Sequence, residues 1–354
     1  MPQPLVWTLL GRKAGDNTQV LALADELGWP CERKTVLARS WEILVQLARR
    51  PTLAGIDRSR SSTLRAPWPD LVITAGRRNE PVARWIREQS GGRCALVHVG
   101  RPWSDLGCWD LVITTPLYFL PVAPNVLHNE LPLHRLLPGE LEAAALALAP
   151  RIADLSRPLI AILVGGDSGR FVFTPEKGEA LGRAAVALAR VRGASLLLTN
   201  SPRTPAGAWR ALREAISVPA YTWSFGDADD NPYRGFLASA DEFIVTGESM
   251  SMLAEATAMG RPVHVFDVGD GEQAWWRHAH NYRVKPLSHH LAMAVGPRQL
   301  RRDVGRIQQA LVESGRANWL GQPGAGVVND RGDDELRRTA DRVREMMAVR
   351  LGGG

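Results

Sequence analysis

Cysteine is scarce in this chain, which limits the covalent and metal chemistry open to it. The 354 residues include only three cysteines, at Cys31, Cys94 and Cys108. An odd number without C-x-x-C spacing argues against a disulfide framework and against a zinc site built on thiolates. This usage is typical of a reducing compartment, so we expect a cytoplasmic protein.

The sequence also lacks long hydrophobic runs. The longest uncharged apolar stretch, residues 111–127, is interrupted by Pro116, Pro121 and Pro124. A membrane-spanning helix needs roughly 20 continuous apolar residues, so no such helix is predicted. The N-terminal segment has neither a basic region nor a small-residue cleavage site, and we therefore expect no signal peptide.

No long run of basic residues occurs, although the chain is basic overall. The formal net charge is +6 and the isoelectric point is about 9.6. A basic protein attracts phosphorylated ligands and anionic membrane surfaces, and we expect loose, peripheral association with the inner membrane. Because the arginines are scattered and neither a zinc finger nor an aromatic RNA-binding signature is present, nucleic acid is not expected as a partner.

Short apolar runs alternate with amphipathic stretches, which indicates an α/β fold with parallel sheets covered on both faces. Strands are predicted at residues 5–10, 71–74, 95–99, 111–114, 159–164, 195–199, 218–222, 242–245 and 262–266. Helices are predicted at residues 17–27, 41–48, 81–89, 139–153, 175–191, 205–216, 233–238 and 251–259. The length exceeds what one ordinary core accommodates. We therefore expect two Rossmann-like domains, over residues 1–155 and 156–330.

The C-terminal residues 331–354 are predicted to form a separate helix. Between positions 334 and 350, one helical face carries Leu336, Ala340, Val343 and Met347. Such an apolar face needs a surface to cover. We expect the helix to cross back onto the first domain.

In open parallel sheets, ligands bind beyond the carboxyl ends of the strands, so residues just after apolar runs are candidates. The first such place contains Gly11, Lys13, Gly15 and Asp16. Asp16 is a candidate N-cap of the next helix, with Gln19 completing a capping box. The alternative is that Asp16, beside Lys13, faces a ligand and accepts a proton from a hydroxyl group.

The second place is the glycine-rich stretch after residues 159–164. Gly165, Gly166, Ser168 and Arg170 form a pattern typical of an anion nest, in which consecutive backbone N–H groups point at one phosphate. Thr174 and Pro175 then fit the N-cap and first position of a helix. The alternative is an ordinary glycine-rich turn.

The third place follows residues 242–245 and opens a helix. Gly247, Ser249, Met250 and Ser251 supply small residues and backbone N–H groups at a helix N-terminus, which favours a diphosphate. Glu255, one turn on, is placed to accept hydrogen bonds from a ribose diol; the alternative is a solvated surface glutamate. After residues 195–199, Arg203 is a further candidate phosphate ligand.

These segments together resemble a known family. The stretches "VWTLLGRKAGDNTQVLALADELG", "ILVGGDSGRFVFTPE", "LLLTNSPRTP" and "NPYRGFLASADEFIVTGESMSMLAEATAMGRPVHVF" are similar to those of the glycosyltransferases named for a mitochondrial fission factor. The resemblance runs from about Leu5 to Tyr282. It implies a GT-B fold, with two facing Rossmann-like domains and a cleft between them.

The resemblance also implies roles for particular residues. Glu255 would hold the ribose, residues 249–251 would bind the diphosphate, and Gly166 and Ser168 would lie on its other side. Glu272 and Gln273 would contact sugar hydroxyls. The loop with Gly11, Lys13 and Gly15 would face the acceptor, with Asp16 as catalytic base in place of the histidine that often closes that loop.

The implied activity is transfer of a sugar from a nucleotide-diphosphate sugar to an envelope saccharide or lipid-linked acceptor, without a metal or other cofactor. Glu248 and Glu255 stand one residue closer together than the glutamate pair of retaining enzymes with this fold, which favours inversion. The alternatives are a nucleotide-sugar epimerase or hydrolase, and an interaction protein that kept the fold without catalysis.

Three further sequence patterns resemble ligand sites but have commoner structural explanations. Asp227 and Asp229 mimic a metal-binding D-x-D, but they stand in a polar loop that is more typical of a solvated connection. The histidine pairs at 278–280 and 289–290 lack a third ligand at a suitable spacing. Trp275 and Trp276 could stack on a sugar or base, although packing is the commoner role of such a pair.

Overall fold

A computed structural model describes residues 3–42, 45, 50–168, 171–269, 295, 303–322 and 334–352 of the chain. It divides the protein into two compact units. The first unit comprises residues 1–135 together with 333–354, and the second comprises residues 136–332. Each unit is built on a six-stranded sheet, and every strand pairing within both sheets is parallel.

The first unit has the sheet order β2-β1-β3-β4-β5-β6. Its elements are β1 (Val6–Leu10), α1 (Ala14–Leu27), β2 (Cys31–Thr35), β3 (Leu71–Ala75), α2 (Glu80–Gln89), β4 (Ala95–Val99), β5 (Leu111–Thr114) and β6 (Val126–His128). The central strands are apolar and buried because both faces of the sheet are covered. Leu71 and Ile73 pack in one hydrophobic cluster and Val72 in the other.

The second unit repeats this plan with the order β12-β11-β10-β7-β8-β9. Its elements are α3 (Pro138–Leu148), β7 (Leu159–Val164), α4 (Pro175–Arg192), β8 (Ser195–Asn200), α5 (Ala206–Glu214), β9 (Ala220–Trp223), α6 (Tyr233–Ser239), β10 (Glu242–Thr246), α7 (Met250–Ala258), β11 (Val263–Phe266), α8 (Gly305–Glu313) and β12 (Asn318–Trp319). The strand order reverses between β7 and β10. The predicted α/β class with two Rossmann-like sheets is therefore confirmed.

The C-terminal helix α9 (Asp334–Gly352) completes the first unit. Its four apolar residues, which the sequence places on one face, join the hydrophobic cluster that contains Leu71 and Ile73. The buried Thr339 hydroxyl accepts a hydrogen bond from the Asn129 side chain at 2.9 Å. Glu335 accepts the backbone N–H groups of Glu130 and Leu131. These contacts attach α9 to the part of the first unit formed by residues 1–135.

The boundary between the units and one edge strand of the first sheet differ from the sequence-based expectation. The division between units falls at residue 135, not 155, because α3 packs against α6 of the second unit: a Cβ on Gly235 would lie 2.8 Å from the Ala144 carbonyl oxygen. The edge strand β2 is not predicted because its sequence, CERKT, is polar and mostly exposed. Charged residues are common on edge strands, where they prevent pairing with other chains.

Helices α4 and α5 approach closely at two glycines, which provides a test of the second unit. A Cβ on Gly178 would lie 2.2 Å from the Ala208 carbonyl oxygen, so either the helices move apart or the backbone distorts. We expect Gly178→Ala to lower the free energy of unfolding by roughly 1–3 kcal/mol, measured by urea denaturation. Gly139→Ala in α3, where a Cβ meets open space, is the control and should cause no loss. Equal stability of the two variants would contradict this packing.

Candidate functional site

The carboxyl ends of β7 and β10 form the point at which the strand order of the second sheet reverses. The two strands pair in parallel, with Leu163 opposite Val245, so the loops that follow them emerge side by side. The Gly165 N–H donates to the Thr246 hydroxyl at 2.8 Å, and the Gly166 N–H donates to Glu248 Oε1 at 2.6 Å. The two loops predicted to converge are therefore in direct contact.

The predicted anion nest needs a correction, because its N–H groups already have acceptors within the protein. Besides the two bonds above, the Asp167 N–H donates to the Arg203 carbonyl and the Ser168 N–H to the Phe171 carbonyl, both at 3.0 Å. A diphosphate would have to displace these acceptors. The loop therefore fits the alternative better, which is a glycine-rich turn that packs against its neighbours.

The glycines of this turn allow that packing. A Cβ on Gly165 would lie 2.1 Å from Glu248 Oε1, and one on Gly166 would lie 2.4 Å from the Arg203 carbonyl oxygen. Gly166 also has a φ of 114°, which side chains rarely adopt. The loop after β8 completes the contact, since the Thr204 hydroxyl donates to the Gly165 carbonyl at 3.0 Å.

The N-terminus of α7 lies beside these loops and is contacted by α8. The Gln308 side chain on α8 donates to the Gly247 carbonyl at 2.5 Å, and Ser249 and Met250 are buried. The Ser249 hydroxyl makes no capping hydrogen bond. Because the first N–H groups of a helix have no acceptor within it, those of Met250 and Ser251 remain suited to an external anion.

Glu255 lies on α7 and is held by a tyrosine from α6. The Tyr233 hydroxyl donates to Glu255 Oε2. Burial raises the pKa of Glu255, and the Tyr233 hydrogen bond and then the charge of Arg234 oppose this rise. Burial and the adjacent carboxylate raise the pKa of the Tyr233 hydroxyl well above its ordinary value. Glu255 is thus a half-buried carboxylate positioned by a hydroxyl donor, and it is not the freely solvated surface glutamate of the alternative.

Glu248 is a buried carboxyl group, which the sequence singles out only for its spacing from Glu255. Its Oε1 accepts from the Gly166 N–H and lies 3.1 Å from the Thr246 hydroxyl. Its Oε2 has no hydrogen-bond partner among the described residues, and the residue is only 2% exposed. Burial raises the pKa of Glu248, and the charge of Arg203 is the largest influence that lowers it.

Some of the other candidates of the second unit lie within the described residues, and the rest lie outside them. Arg203 bonds the Asp167 carbonyl through its guanidinium group at 3.0 Å and so lies beside the glycine-rich loop. Thr174 caps α4 as predicted, with its side chain accepting from the Lys177 N–H at 3.3 Å. The candidates Arg170, Glu272 and Gln273 lie outside the described residues, as do Trp275, Trp276 and the histidine pairs.

Two of the missed site residues, Tyr233 and Gln308, leave no signal in the sequence. Tyr233 opens a short helix in which a tyrosine is unremarkable, and Gln308 lies 61 residues from the glycine that it contacts. The sequence gives a weak indication of Glu248, because a carboxylate is unexpected at the start of a helix that is predicted to bind an anion.

In the first unit, the candidates gather after β1. Asn17 clamps the loop through its side chain, which accepts from the Gly11 N–H at 2.9 Å and donates to the Gly11 carbonyl at 2.8 Å. Asp16 lies 3.7 Å from the Lys13 ammonium group, and both side chains are accessible to solvent. Asp16 Oδ2 would be 3.0 Å from a Cβ on Gly76, the first residue after β3. The candidate base is therefore at the reversal point of its own sheet.

The predicted cap at Asp16 is wrong. Helix α1 begins at Ala14, so Lys13 takes the N-cap position and Gly15 and Asp16 lie in the first helical turn. The Gln19 side chain bonds the Gly15 carbonyl instead of completing a capping box. The side chain of Asp16 is consequently free of the structural role that was its main alternative.

The D-x-D pattern at Asp227 and Asp229 is explained by hydrogen bonds within its own loop. The Asp227 carboxylate accepts the Ser224 N–H at 2.8 Å, and the Asp229 carbonyl accepts from the Trp223 indole at 3.3 Å. Within the described part of the chain, no cluster of three or more His, Cys, Asp or Glu side chains is arranged to hold a metal ion. No helix in that part combines the length and apolar character required to cross a membrane.

The sequence is similar to those of two proteins from other organisms. Over 243 residues the chain is 27% identical to the mitochondrial fission protein ELM1 of Arabidopsis thaliana, a match that covers 62% of this chain and 56% of that protein. It is 22% identical over 298 residues to the uncharacterized protein RP120 of Rickettsia prowazekii, covering 74% and 82% respectively. The chain thus spans little more than half of the plant relative.

Among solved structures, the UDP-GlcNAc 2-epimerase of Methanocaldococcus jannaschii aligns with a TM-score of 0.50 at 9% identity, over 96% of this chain and 99% of that one. At this identity the likeness shows the fold alone, which is GT-B-like. The family described as Mitochondrial fission ELM1 matches residues 14–289, more than half of the chain. The protein therefore belongs to the Mitochondrial fission ELM1 family.

Proposed function

We propose that the second unit binds a nucleotide-diphosphate sugar at the N-terminus of α7 and that the protein is a metal-independent glycosyltransferase. The observation that carries the proposal is the Tyr233–Glu255 pair, a half-buried carboxylate aligned by a hydroxyl group. It lies about one turn after a helix N-terminus at which Ser249 makes no side-chain capping bond within the described residues. This arrangement lies where the strand order reverses, the usual ligand position in open α/β sheets.

The chemistry of these groups matches the parts of such a donor. The N–H groups of Met250 and Ser251, with the helix dipole, attract the diphosphate. Tyr233 occupies Oε2 of Glu255, so Oε1 is the oxygen that accepts from a ribose hydroxyl. Arg203, beside the same loops, stabilises negative charge on the departing diphosphate.

Transfer requires that an acceptor hydroxyl lose its proton as its oxygen bonds to the anomeric carbon. We assign the proton to the Asp16 carboxylate, which is accessible and has no capping role. The bond from the anomeric carbon to the diphosphate oxygen breaks, and the electron pair leaves with the nucleoside diphosphate. Attack from the face opposite to the leaving group inverts the anomeric centre. A saccharide or lipid-linked acceptor fits this chemistry.

Glu255→Ala is expected to weaken binding of UDP and UDP-GlcNAc by roughly 10- to 100-fold, since a hydrogen bond to a charged group contributes about 1.5–3 kcal/mol. Isothermal titration calorimetry of the whole chain measures the loss. Glu214→Ala, an exposed glutamate at the end of α5, is the matched control and should bind normally. The donor-site proposal fails if no nucleoside diphosphate binds, or if both variants bind like the unchanged protein.

Tyr233→Phe is expected to weaken the same binding less, by roughly 2- to 10-fold, because only the hydrogen bond that aligns Glu255 is lost. The difference in affinity between Tyr233→Phe and the unchanged protein should be smaller for 2′-deoxy and 3′-deoxy nucleotides. Each of these ligands lacks one of the ribose hydroxyl groups that would donate to the Glu255 carboxylate. Equal losses for ribose and deoxyribose ligands would show that Tyr233 contributes packing alone.

Asp16→Asn is expected to abolish sugar transfer and to leave donor binding unchanged, because the amide cannot accept the proton. The assay supplies several nucleotide sugars with and without a lipid or oligosaccharide extract and follows the labelled sugar. Lys13→Gln, which removes the adjacent charge but not the base, should retain transfer. Acceptor-independent release or epimerisation of the sugar would instead support a hydrolase or an epimerase, and an inert protein would support an interaction role.

A further inference from the structure

The longest uncharged apolar run of the sequence, residues 111–127, contains β5, most of β6 and an exposed loop between them. The middle of that loop reads FLPVAP at positions 119–124, a segment that we call the apolar tip. Val122 in this tip is 93% exposed, and both of its prolines are exposed as well. Contiguous apolar segments at the surface are characteristic of places where a protein meets a membrane or another protein.

Contacts at both ends hold the loop in this exposed position. Before the apolar tip, the carbonyl of Tyr118 accepts a hydrogen bond from the Arg101 guanidinium group. After the tip, the Asn125 side chain donates to the carbonyls of Leu106 and Trp109 at 2.9 and 3.0 Å. The exposure of the tip is therefore imposed by the fold of the first unit.

The backbone of the apolar tip is also suited to an apolar surrounding. Phe119 has a φ of 52°, a left-handed conformation that L side chains rarely adopt and that is common at functional sites. The Pro121 carbonyl lies 3.3 Å from the His128 ring nitrogen, and the Pro124 carbonyl accepts from Arg342 at 3.4 Å. Because a proline has no N–H group, the two prolines leave fewer backbone donors to be stripped of water when the tip enters an apolar phase.

The unit that carries the apolar tip also carries most of the net charge. The first unit has 22 Lys and Arg residues against 17 Asp and Glu residues, whereas the second has 21 against 20. The formal net charge is thus +5 on the first unit and +1 on the second. Beside the tip, Arg342 lies 3.8 Å from Glu345, so the positive field comes from the unit as a whole. A field of this sign attracts anionic lipid headgroups over about one Debye length.

We propose that the apolar tip inserts into the interfacial layer of an anionic lipid bilayer, while the positive charge of the first unit holds the protein at the bilayer surface. Either contribution by itself gives weak and reversible attachment, and stable peripheral binding takes two such signals. A bilayer fits better than a protein partner, because the basic residues are spread over the unit and the tip offers apolar side chains with few backbone donors.

This docking places the bilayer on a particular side of the first sheet. The apolar tip follows β5, and all strands of that sheet run parallel, so the tip leaves the sheet at the same edge as the loops after β1 and β3. Asp16 lies at that edge, beside Gly76. The edge that carries the proposed base is therefore the one that faces the lipid. The docking itself does not depend on sugar transfer.

The test is co-sedimentation of the whole chain with phosphatidylcholine vesicles that either contain or lack phosphatidylglycerol. We expect binding to the anionic vesicles that weakens as salt is added, and little binding to the neutral ones. Val122→Glu is expected to weaken binding to the anionic vesicles by roughly 10-fold, because it replaces the apolar side chain that enters the bilayer by a charged one. Val191→Glu on α4 is the matched control, since Val191 is 80% exposed and the change in net charge is the same. It should bind nearly as well as the unchanged protein.

Val122→Trp tests the same contact through a gain in affinity. Tryptophan favours the interface between water and lipid, so this variant should bind the anionic vesicles roughly 3- to 10-fold more tightly. Val191→Trp should show no such gain. Because both valines are exposed, none of the four variants should lower the free energy of unfolding, which urea denaturation checks.

Equal losses in the two glutamate variants would overturn the role of the apolar tip, since net charge alone would then explain the binding. Failure of the unchanged protein to bind anionic vesicles would overturn the proposal outright. A dimer that Val122→Glu dissociates in analytical ultracentrifugation, without any vesicle binding, would assign the tip to a second copy of the chain instead. Vesicle binding by a protein that binds no nucleotide would support this inference and contradict the donor site, so the two proposals fail separately.

Discussion

The pairing of β7 with β10 is the constraint on which the candidate site depends. Because the two strands are parallel neighbours on either side of the strand-order reversal, their following loops leave the sheet at one place. The contacts of Gly165 with Thr246 and of Gly166 with Glu248 follow from that adjacency. The loop carrying Arg203 then packs on the same glycines, and Gln308 fixes Gly247 from the other side.

In this arrangement the loop after β7 and the helix α7 make different kinds of contact. The glycine-rich loop after β7 uses its own N–H groups to hold neighbouring segments, so it supports the site without presenting a free nest. The proposed anion site lies at the start of α7, because the first N–H groups of a helix lack acceptors within it. Two glutamates near that helix start differ in their contacts. Half-buried Glu255 has a hydroxyl donor aligned on it, whereas buried Glu248 has hydrogen-bond partners at only one of its oxygens among the described residues.

Local sequence patterns predict much of the fold. Apolar runs mark the buried strands of both sheets, and Thr-Pro at 174–175 marks the start of α4 through capping that involves adjacent residues only. The same reasoning misplaces the start of α1, because several residues between Gly11 and Asn17 can begin a helix and the choice of Lys13 depends on how Asn17 holds the loop. It also assigns α3 to the first domain, since an Ala- and Leu-rich helix does not specify which sheet it covers.

The amino-acid sequence by itself determined the alternation of strands and helices, the two Rossmann-like sheets and the apolar face of the C-terminal helix. These features are encoded in the periodicity and capping chemistry of residues close together in the chain. Only the tertiary structure decided which acceptor each loop amide takes, that Tyr233 aligns Glu255, and that Glu248 is buried with one oxygen unpartnered by any described residue. Those outcomes depend on contacts such as that between Gly166 and Glu248, which are 82 residues apart and meet only when parallel strands pair.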